Sequence, residues 1–335
     1  MTTRRNFLKN TTMLAAGLGV SPLLSSSPLR SYQKEEVING KVRIAVIGVG
    51  MGCRDLQGAL TDNPWVHCVG MCDVNKVRLE EQLARFKKDF PEQTVSIKAY
   101  TDFREVLANK EIDGVIIATP DHWHPYIFAE ALKAGKAIYV EKPVGNSISE
   151  CNAMMDFQKK YKGVVTTGLW QTSQRYFRAA NEILKSGVLG DVYKVQLWLC
   201  QSTNPRPSVE DSEAPSTLDY DMWLGPAPER PFNNSRFRGW RGFWDYGGGQ
   251  QTDWGVHWID SAFDGLKALG LCDREYPDAV FSIAYKDPAS FNETPSCQTS
   301  IFQYKNFHIE WAQQVAYLYN CLLYTSPSPR DMRRS

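Results

Sequence analysis

A glycine-rich turn near the start of the chain restricts the fold more than any other feature of the sequence. Residues 41–47 form an apolar run that is typical of a buried strand, and it leads directly into Gly48-Val49-Gly50-Met51-Gly52-Cys53. A helical pattern follows at residues 54–60. A strand, a glycine turn and a helix in this order predict a parallel α/β sheet that binds a dinucleotide.

The residues of this turn have separate predicted roles. Gly48 permits the tight turn, and Gly50 lets the backbone approach a pyrophosphate at the helix N-terminus. Met51 is predicted to contact the cofactor beside them. Cys53 occupies the third glycine position of the fingerprint, so the match is partial, and Gly52 can relieve the same crowding from one residue earlier.

An acidic residue follows the second predicted strand. The apolar run at residues 65–72 ends in Asp73, roughly 20 residues beyond the glycines, where a carboxylate binds the ribose hydroxyls of NAD. The same carboxylate would repel the additional phosphate of NADP. The sequence therefore predicts NAD as the cofactor in preference to NADP.

Alternating strand and helix patterns continue to residue 168 and predict a doubly wound parallel sheet, the Rossmann architecture. The remaining strands are expected at residues 95–98, 114–118, 137–140 and 164–167, with helices at 126–134 and 148–160.

Beyond residue 170 the pattern changes to a few long strands and helices, which predicts a second, α+β domain. Its strands are expected at residues 192–199, 279–285, 300–304 and 307–313, with helices at 177–185 and from about Gln250. The predicted domains are residues 41–169 and 170–320.

Length and charge agree with an enzyme that acts on a small molecule. The 335 residues suit two domains, and 38 Lys and Arg against 37 Asp and Glu leave a net charge of +1. This balance gives no electrostatic basis for binding nucleic acid. The eight cysteines show no metal-type pairing, and no disulfide framework is expected.

The N-terminus has the features of an export signal. Arg4-Arg5 is followed by Phe7-Leu8-Lys9 and by a mildly apolar stretch at residues 13–20. Paired arginines in this context predict a twin-arginine signal, with residues 1–31 forming signal and linker and the periplasm as destination. The apolar stretch is too short to span a membrane, so no stable membrane association is expected.

The C-terminus has a different character from the rest of the chain. Residues 321–335 show no periodicity and no helix cap, and they resemble translated adapter or vector sequence. We therefore expect a truncated gene product with a non-native tail.

The tripeptide Glu141-Lys142-Pro143 follows the predicted strand at residues 137–140. Ligands of open α/β sheets bind beyond the carboxyl ends of the strands, so a lysine here can direct its ammonium group toward a ligand. Pro143 restricts the backbone as it leaves the strand. A surface lysine at a strand end remains the alternative reading of this residue taken alone.

A second candidate constellation lies at the start of the long predicted helix. Four residues separate Asp253 from His257, a spacing that places both on one helix face, where a carboxylate can orient an imidazole. Histidine is well suited to accept a hydroxyl proton near neutral pH. A capping aspartate and a histidine in an interface are the alternative.

A metal site is a further possible reading of these residue types. The residues of ligand type are Asp121, His122, His124, Asp253 and His257. No single predicted element presents two histidines four residues apart, so no metal is predicted.

In this order, the motifs resemble the Gfo/Idh/MocA family of oxidoreductases over residues 41–311. The most specific parts are residues 118–124, Glu141-Lys142-Pro143, and residues 240–257 with Tyr246-Gly247-Gly248-Gly249. The run at residues 219–226 is similar to an exported, sugar-acting bacterial branch. The resemblance implies a Rossmann domain and a C-terminal domain with a large open, mostly antiparallel sheet, which commonly forms the interface of a homo-oligomer.

The resemblance also implies site residues. The catalytic set is Lys142, Asp253 and His257. The residues expected to bind the cofactor are Gly48, Gly50, Met51, Asp73, Thr119, Pro120, His124, Glu141, Lys142, Trp240 and Arg241.

These assignments give a hypothesis for the reaction, with a carbohydrate as substrate. His257 removes a hydroxyl proton, Lys142 hydrogen-bonds the same oxygen, Asp253 orients His257, and NAD accepts the hydride. The sugar is expected to stack on some of Trp223, Trp240, Trp244 and Trp258. Two alternatives stay open: a redox-neutral cycle that cleaves or epimerises a glycoside, and a non-catalytic sugar sensor that holds NAD.

Overall fold

The computed structural model describes residues 41–50, 63, 65–91, 97–200, 206–272 and 276–314. The predicted signal at residues 1–31, Met51, Cys53, the predicted helix at 54–60 and the tail at 321–335 lie outside these ranges. The described chain divides into two compact units. The first contains the residues up to Gly168 together with Ser212–Phe232, and the second contains Leu169–Asp211 and the residues from Asn233 onward.

The described elements follow one another in chain order. They are β1 (Val42–Ile47), β2 (Val66–Cys72), α1 (Lys76–Asp89), β3 (Lys98–Tyr100), α2 (Phe103–Ala108), β4 (Gly114–Ile117), α3 (His124–Lys133), β5 (Ala137–Val140), α4 (Ile148–Tyr161), β6 (Val165–Thr167), α5 (Arg175–Lys185), β7 (Lys194–Cys200), α6 (Tyr220–Leu224), α7 (Asn234–Arg238), α8 (Val256–Ala268), β8 (Ala279–Tyr285), β9 (Cys297–Gln303) and β10 (His308–Gln314).

The first unit contains a six-stranded parallel sheet in the order β3-β2-β1-β4-β5-β6. Ile44 and Val46 of β1 belong to one apolar cluster, whereas Ala45 and Ile47 belong to another, so this central strand is covered on both faces. The order and the double cover confirm the predicted doubly wound Rossmann sheet. The third strand lies later than the predicted residues 95–98, because Ala99 and Tyr100 pair with the end of β2.

Several helices of this unit begin at side-chain caps that the sequence supplies. Asn75 accepts a hydrogen bond from Arg78 N–H at the start of α1. Ser147 and Glu150 form a capping box at the start of α4. The Ser147 side chain accepts a hydrogen bond from Glu150 N–H, and the Glu150 carboxylate accepts one from Ser147 N–H. Such caps satisfy donors that the first helical turn leaves without intrahelical partners. They fix where each helix begins relative to the strand before it.

Residues 212–232 pack with the first unit, whereas the sequence pattern places them in the second domain, residues 170–320. Lys76 N–H donates to Thr217 O (2.9 Å), and Asp219 N–H donates to Val74 O (3.0 Å). Farther along, Trp223 O accepts from Trp123 Nε1–H at 3.0 Å. The predicted boundary differs because residues 212–232 make these three contacts with their own backbone N–H and C=O groups, which carry no residue-specific signal.

The second unit contains a four-stranded sheet in the order β7-β10-β9-β8. The pair β7 and β10 is parallel, and the other two pairs are antiparallel. Leu266 of α8 packs in one apolar cluster with Ile309 of β10 and with Tyr304 and Phe307. The unit therefore confirms the predicted C-terminal domain with a mostly antiparallel sheet.

The long helix of this unit begins differently from the prediction. Gln251–Gly255 form a π-helical turn, and the regular α-helix α8 follows from Val256. In the part of the chain that the structure describes, no helix has the length and apolar character needed to cross a bilayer.

Candidate functional site

The glycine turn lies against the end of β4 in the first unit. Gly48 has a φ of +88°, and a Cβ atom there would lie 2.6 Å from backbone atoms of Ala118 and Thr119. Glycine alone fits this conformation and this approach. At Gly50, the nearest described atom to such a Cβ is Arg78 Nη1 at 3.8 Å.

Asp73 connects the end of β2 to this turn. Its Oδ2 accepts from Val49 N–H at 3.0 Å, and its Oδ1 accepts from Asn75 N–H at 2.9 Å. Burial raises the pKa of the Asp73 carboxyl group, although the Asn75 hydrogen bond, the Arg78 charge and the Val49 hydrogen bond all act in the opposite direction. The structure thus places Asp73, the residue predicted to bind the ribose, directly beside the predicted phosphate-binding turn.

Replacing Asp73 with asparagine is expected to accelerate NAD release by roughly 10–100-fold, the loss of a charge-assisted hydrogen bond. Because burial raises the pKa of Asp73, this carboxylate becomes protonated at a higher pH than an exposed aspartate. NAD binding by the wild-type protein should therefore begin to weaken at that higher pH as the solution is acidified. The asparagine variant should lose that dependence. Stopped-flow release of NAD at several pH values measures both effects.

A matched control for this experiment is Asp89→Asn, which removes an exposed carboxylate from the end of α1 where Asp89 pairs with Arg85. Its NAD release should equal that of the wild-type protein. Equal release from the wild type and Asp73→Asn would disprove the role of Asp73.

The segment after β4 contains three predicted cofactor residues. Thr119 Oγ1 is buried and has no hydrogen-bond partner among the described residues. His124 is buried, with Nδ1 at 2.7 Å from Pro143 O and Nε2 at 2.9 Å from Thr119 O. Pro120 immediately precedes the short 3₁₀ turn Asp121–Trp123. His124 therefore joins the ends of β4 and β5, while the Thr119 hydroxyl is available to a ligand.

Glu141 and Lys142 follow β5 directly. Glu141 N–H donates to Ile117 O at 2.9 Å, and Glu141 Oε1 accepts from Tyr139 O–H at 3.3 Å. Burial, followed by the charge of Glu141, raises the pKa of Tyr139. The Lys142-Pro143 peptide bond is cis. The Glu141 N–H bond to Ile117 and the contact of Pro143 O with His124 hold the backbone on both sides of Lys142 at the carboxyl edge of the parallel sheet.

Three further predicted residues come together in the second unit. Arg241 Nε lies 3.1 Å from Asp253 Oδ1, and the Arg241 guanidinium lies 4.2 Å from the centroid of the Trp240 ring. Asp253 belongs to the π-helical turn and His257 to the first turn of α8, so the regular helix that was expected to carry both residues begins only at Val256. A π-helical turn inserts a residue and changes the angular relation between positions four apart.

His257 is the most enclosed of the predicted catalytic residues in this unit. Its side chain is only 4% exposed. The imidazole lies near two indole rings, with centroid distances of 5.9 Å to Trp170 and 6.1 Å to Trp254. Neither tryptophan was a sequence candidate, and only the position of Trp254 next to Asp253 could have suggested one of them.

The predicted stacking tryptophans differ in accessibility. Trp223 is 6% exposed and packs in the first unit, which leaves Trp240, Trp244 and Trp258 as the more accessible of the four predicted tryptophans. Trp244 is exposed, and Trp240 and Trp258 are half-buried. Lys142 belongs to the first unit, whereas Asp253 and His257 belong to the second.

The first unit has the features that an NAD site needs. Gly48 permits the tight turn against the end of β4, Asp73 supplies a carboxylate at the strand end, and Thr119 supplies a buried hydroxyl. Among the described residues, no group of three or more histidine, cysteine, aspartate or glutamate side chains could hold a metal ion.

Comparisons with known proteins bear on both units. Residues 42–169 match the Gfo/Idh/MocA profile described as an oxidoreductase family with an NAD-binding Rossmann fold. Residues 178–267 match the profile described as the C-terminal alpha/beta domain of the same oxidoreductase family.

Two curated relatives have different named activities. The chain is 33% identical over 163 residues to an α-N-acetylgalactosaminidase of Tannerella forsythia, covering 44% of this chain and 34% of the relative. It is 24% identical over 151 residues to an inositol 2-dehydrogenase of Salmonella typhimurium, covering 44% and 43%. The chain thus spans less than half the length of either relative.

A solved structure extends the likeness in fold to most of the chain. The WlbA dehydrogenase of Bordetella pertussis, determined with NADH and UDP-GlcNAcA, is 16% identical with a TM-score of 0.62. The likeness covers 83% of this chain and 73% of that chain. Because both units match profiles of one family in the expected order, this chain belongs to the Gfo/Idh/MocA family of NAD-binding oxidoreductases.

Proposed function

We propose that this protein oxidises a secondary hydroxyl group of a sugar or glycoside and keeps its NAD tightly bound. The observation that carries the proposal is the enclosed imidazole of His257, one turn beyond the Arg241–Asp253 ion pair. A buried histidine beside aromatic rings is suited to accept a proton away from bulk water. The named activities of the inositol 2-dehydrogenase and the WlbA dehydrogenase support this reaction class.

Each catalytic residue has a proposed role. His257 accepts the proton of the reacting hydroxyl, and Lys142 donates a hydrogen bond to the same oxygen, which stabilises developing negative charge. Asp253, neutralised in part by Arg241, contributes to the electrostatic environment of the helix start. Bound NAD supplies the acceptor for the hydride that leaves the carbon. Asp73 favours NAD over NADP because its carboxylate repels a 2′-phosphate.

Mass spectrometry of the purified native protein and a sugar panel test the proposal together. We expect one NAD per chain and net formation of a ketosugar. Tight binding of both NAD and sugar without any hydride exchange would replace the proposal with a sugar sensor. Absence of bound NAD would contradict the retained cofactor.

A second candidate is redox-neutral cleavage of a glycoside, in which the sugar is oxidised transiently and then reduced again. The relative named as an α-N-acetylgalactosaminidase favours it. Release of free sugar and aglycone without net change in NAD would support cleavage. Accumulation of ketosugar would support dehydrogenation.

Export through the twin-arginine pathway is proposed from Arg4-Arg5 and the residues that follow. Replacing both arginines with lysine is expected to abolish export, because the pathway recognises the arginine pair. Fractionation of expressing cells followed by immunoblotting measures the periplasmic share. Replacing Lys9 with arginine is the control, and unchanged export of the paired-lysine variant would contradict the pathway.

Homo-oligomerisation is proposed from one face of the second unit's sheet. Phe281, Ile283 and Tyr285 alternate along β8 and share a face with Ile301 and Trp198 through the strand register. All five side chains are exposed, Ile283 to 77%. Exposed aromatic and aliphatic side chains of this kind, here on a face that also carries Glu310 and Gln196, are typical of an interface between chains.

Replacing Ile283 with aspartate is expected to shift an oligomer to monomer, because a charge on this face opposes its burial. Light scattering after size-exclusion chromatography measures the mass. Val188→Asp, at an exposed apolar residue outside the sheet, is the control. An unchanged mass for Ile283→Asp would place the interface elsewhere.

A further inference from the structure

Trp170 is an exposed tryptophan beside the proposed base. It opens the short 3₁₀ turn Trp170–Ser173, and 47% of its side chain remains exposed. Its indole meets the His257 imidazole edge to face, at a centroid distance of 5.9 Å and an interplanar angle of 64°. One end of this large apolar side chain thus contacts an enclosed catalytic candidate while much of the ring is accessible.

The turn that carries Trp170 is attached to α8. The neighbouring Gln171 is buried, and its Oε1 lies 3.2 Å from Ser261 Oγ. Ser261 Oγ also lies 3.0 Å from His257 O. These contacts tie the turn to the helix one turn beyond His257. The indole therefore has a defined position relative to the imidazole, and a ligand that stacks on it loses little additional side-chain entropy.

Other tryptophans of the second unit lack this combination. Trp254 also contacts His257 but is only partly accessible. Trp198 belongs to the apolar sheet face proposed as an oligomer interface, and the Trp244 backbone N–H donates to Glu293. Among the described residues of this unit, Trp170 is the strongly exposed indole that contacts the proposed base.

We propose that the exposed face of Trp170 stacks against the C–H face of the sugar ring and presents a ring hydroxyl to His257. This inference rests on the proposed function. Pyranose and inositol rings carry apolar C–H faces between their hydroxyl groups, and an indole is a large, rigid apolar surface for such a face. Stacking orients the ring, whereas His257 performs the proton transfer, so Trp170 determines affinity for the sugar.

The test compares Trp170→Ala and Trp170→Phe with the wild-type holoprotein. Calorimetry with methyl glucoside, methyl galactoside, methyl N-acetylgalactosaminide and myo-inositol gives the sugar Kd, and turnover gives KM and kcat. We expect Trp170→Ala to raise Kd and KM roughly 10-fold with a much smaller change in kcat. Phenylalanine should recover most of the affinity, because it restores an aromatic face.

The matched control is Trp65→Ala, which removes an exposed tryptophan from the first unit just before β2. The amino ends of parallel strands lie opposite the ligand-binding edge, so this variant should behave as the wild type. Bound NAD is measured in every variant. Unchanged Kd and KM in Trp170→Ala would overturn the inference while leaving the proposed oxidation intact.

Two further outcomes are decisive. Faster loss of NAD with unchanged sugar affinity in Trp170→Ala would assign the indole to the cofactor and overturn the inference. If the wild-type protein binds sugars without oxidising them, and Trp170→Ala binds them more weakly, the result would support the role of Trp170 and reject the proposed oxidation. A wild-type protein that binds none of the four probes would overturn the inference.

Discussion

The His257→Ala variant is expected to lose about 10²–10⁴-fold in kcat, the typical contribution of a general base. Its NAD content should be unchanged, since the residues that fit the cofactor's phosphate and ribose groups lie in the first unit. The acid limb of the pH–rate profile should also disappear, because that limb reports protonation of the base. Steady-state kinetics on the substrate found in the sugar panel measures these changes.

The control for this variant is His67→Gln, which replaces a histidine near the amino end of β2, away from the ligand-binding edge of the sheet. Its kcat should match that of the wild type. Because His257 is enclosed, thermal unfolding of His257→Ala must be compared with that of His257→Gln, which retains more of the side-chain volume. Near-full turnover by a folded His257→Ala variant with bound NAD would reject His257 as the base.

Replacing Gly48 with alanine is expected to lower the free energy of unfolding by at least about 2 kcal/mol and to prevent NAD retention. Two costs combine at this position. The φ of +88° strains any residue with a Cβ, and the new methyl group would lie 2.6 Å from the backbone of Ala118 and Thr119. Backbone atoms at the end of a central strand have little freedom to move away.

Gly135→Ala separates these two costs. Gly135 also has a positive φ, +71°, but no described atom lies within 4 Å of the position a Cβ would take. This control should lose only the strain contribution, about 1 kcal/mol, and retain its NAD. Chemical denaturation gives the free energies, and mass spectrometry gives the cofactor content. Equal destabilisation of both variants would show that the contact with the end of β4 is unimportant.

The Rossmann sheet could be predicted from the sequence because its strands are short apolar runs separated by helical patterns. The strand β5 was predicted with its observed bounds, since Ala137–Val140 is bounded by Gly135 and by Glu141. Strand ends in the second unit were less accurate. Residues 297–299 are polar in part, and their inclusion in β9 follows from pairing with β8 and not from their own propensity.

The features of the candidate site also differ in whether the sequence alone could predict them. Gly48 and Asp73 follow from a local pattern with a fixed spacing, and the structure places them around Val49. The Arg241–Asp253 ion pair could not be predicted, because it joins positions on different elements. The π-helical turn could not be predicted from the sequence either, since Gln251–Gly255 contain no residue type that specifies it.

The return of residues 212–232 to the first unit has a consequence for synthesis on the ribosome. Trp223 lies 101 residues after His122 in the chain, and its backbone O lies 3.0 Å from His122 Nε2 in the fold. At translation rates of about 5–20 residues per second, that interval lasts roughly 5–20 s. During it, the emerging Rossmann unit lacks the segment whose Trp223 carbonyl accepts a hydrogen bond from Trp123 Nε1–H. Completion of the cofactor-binding unit therefore waits for a stretch of chain that is translated within the next domain.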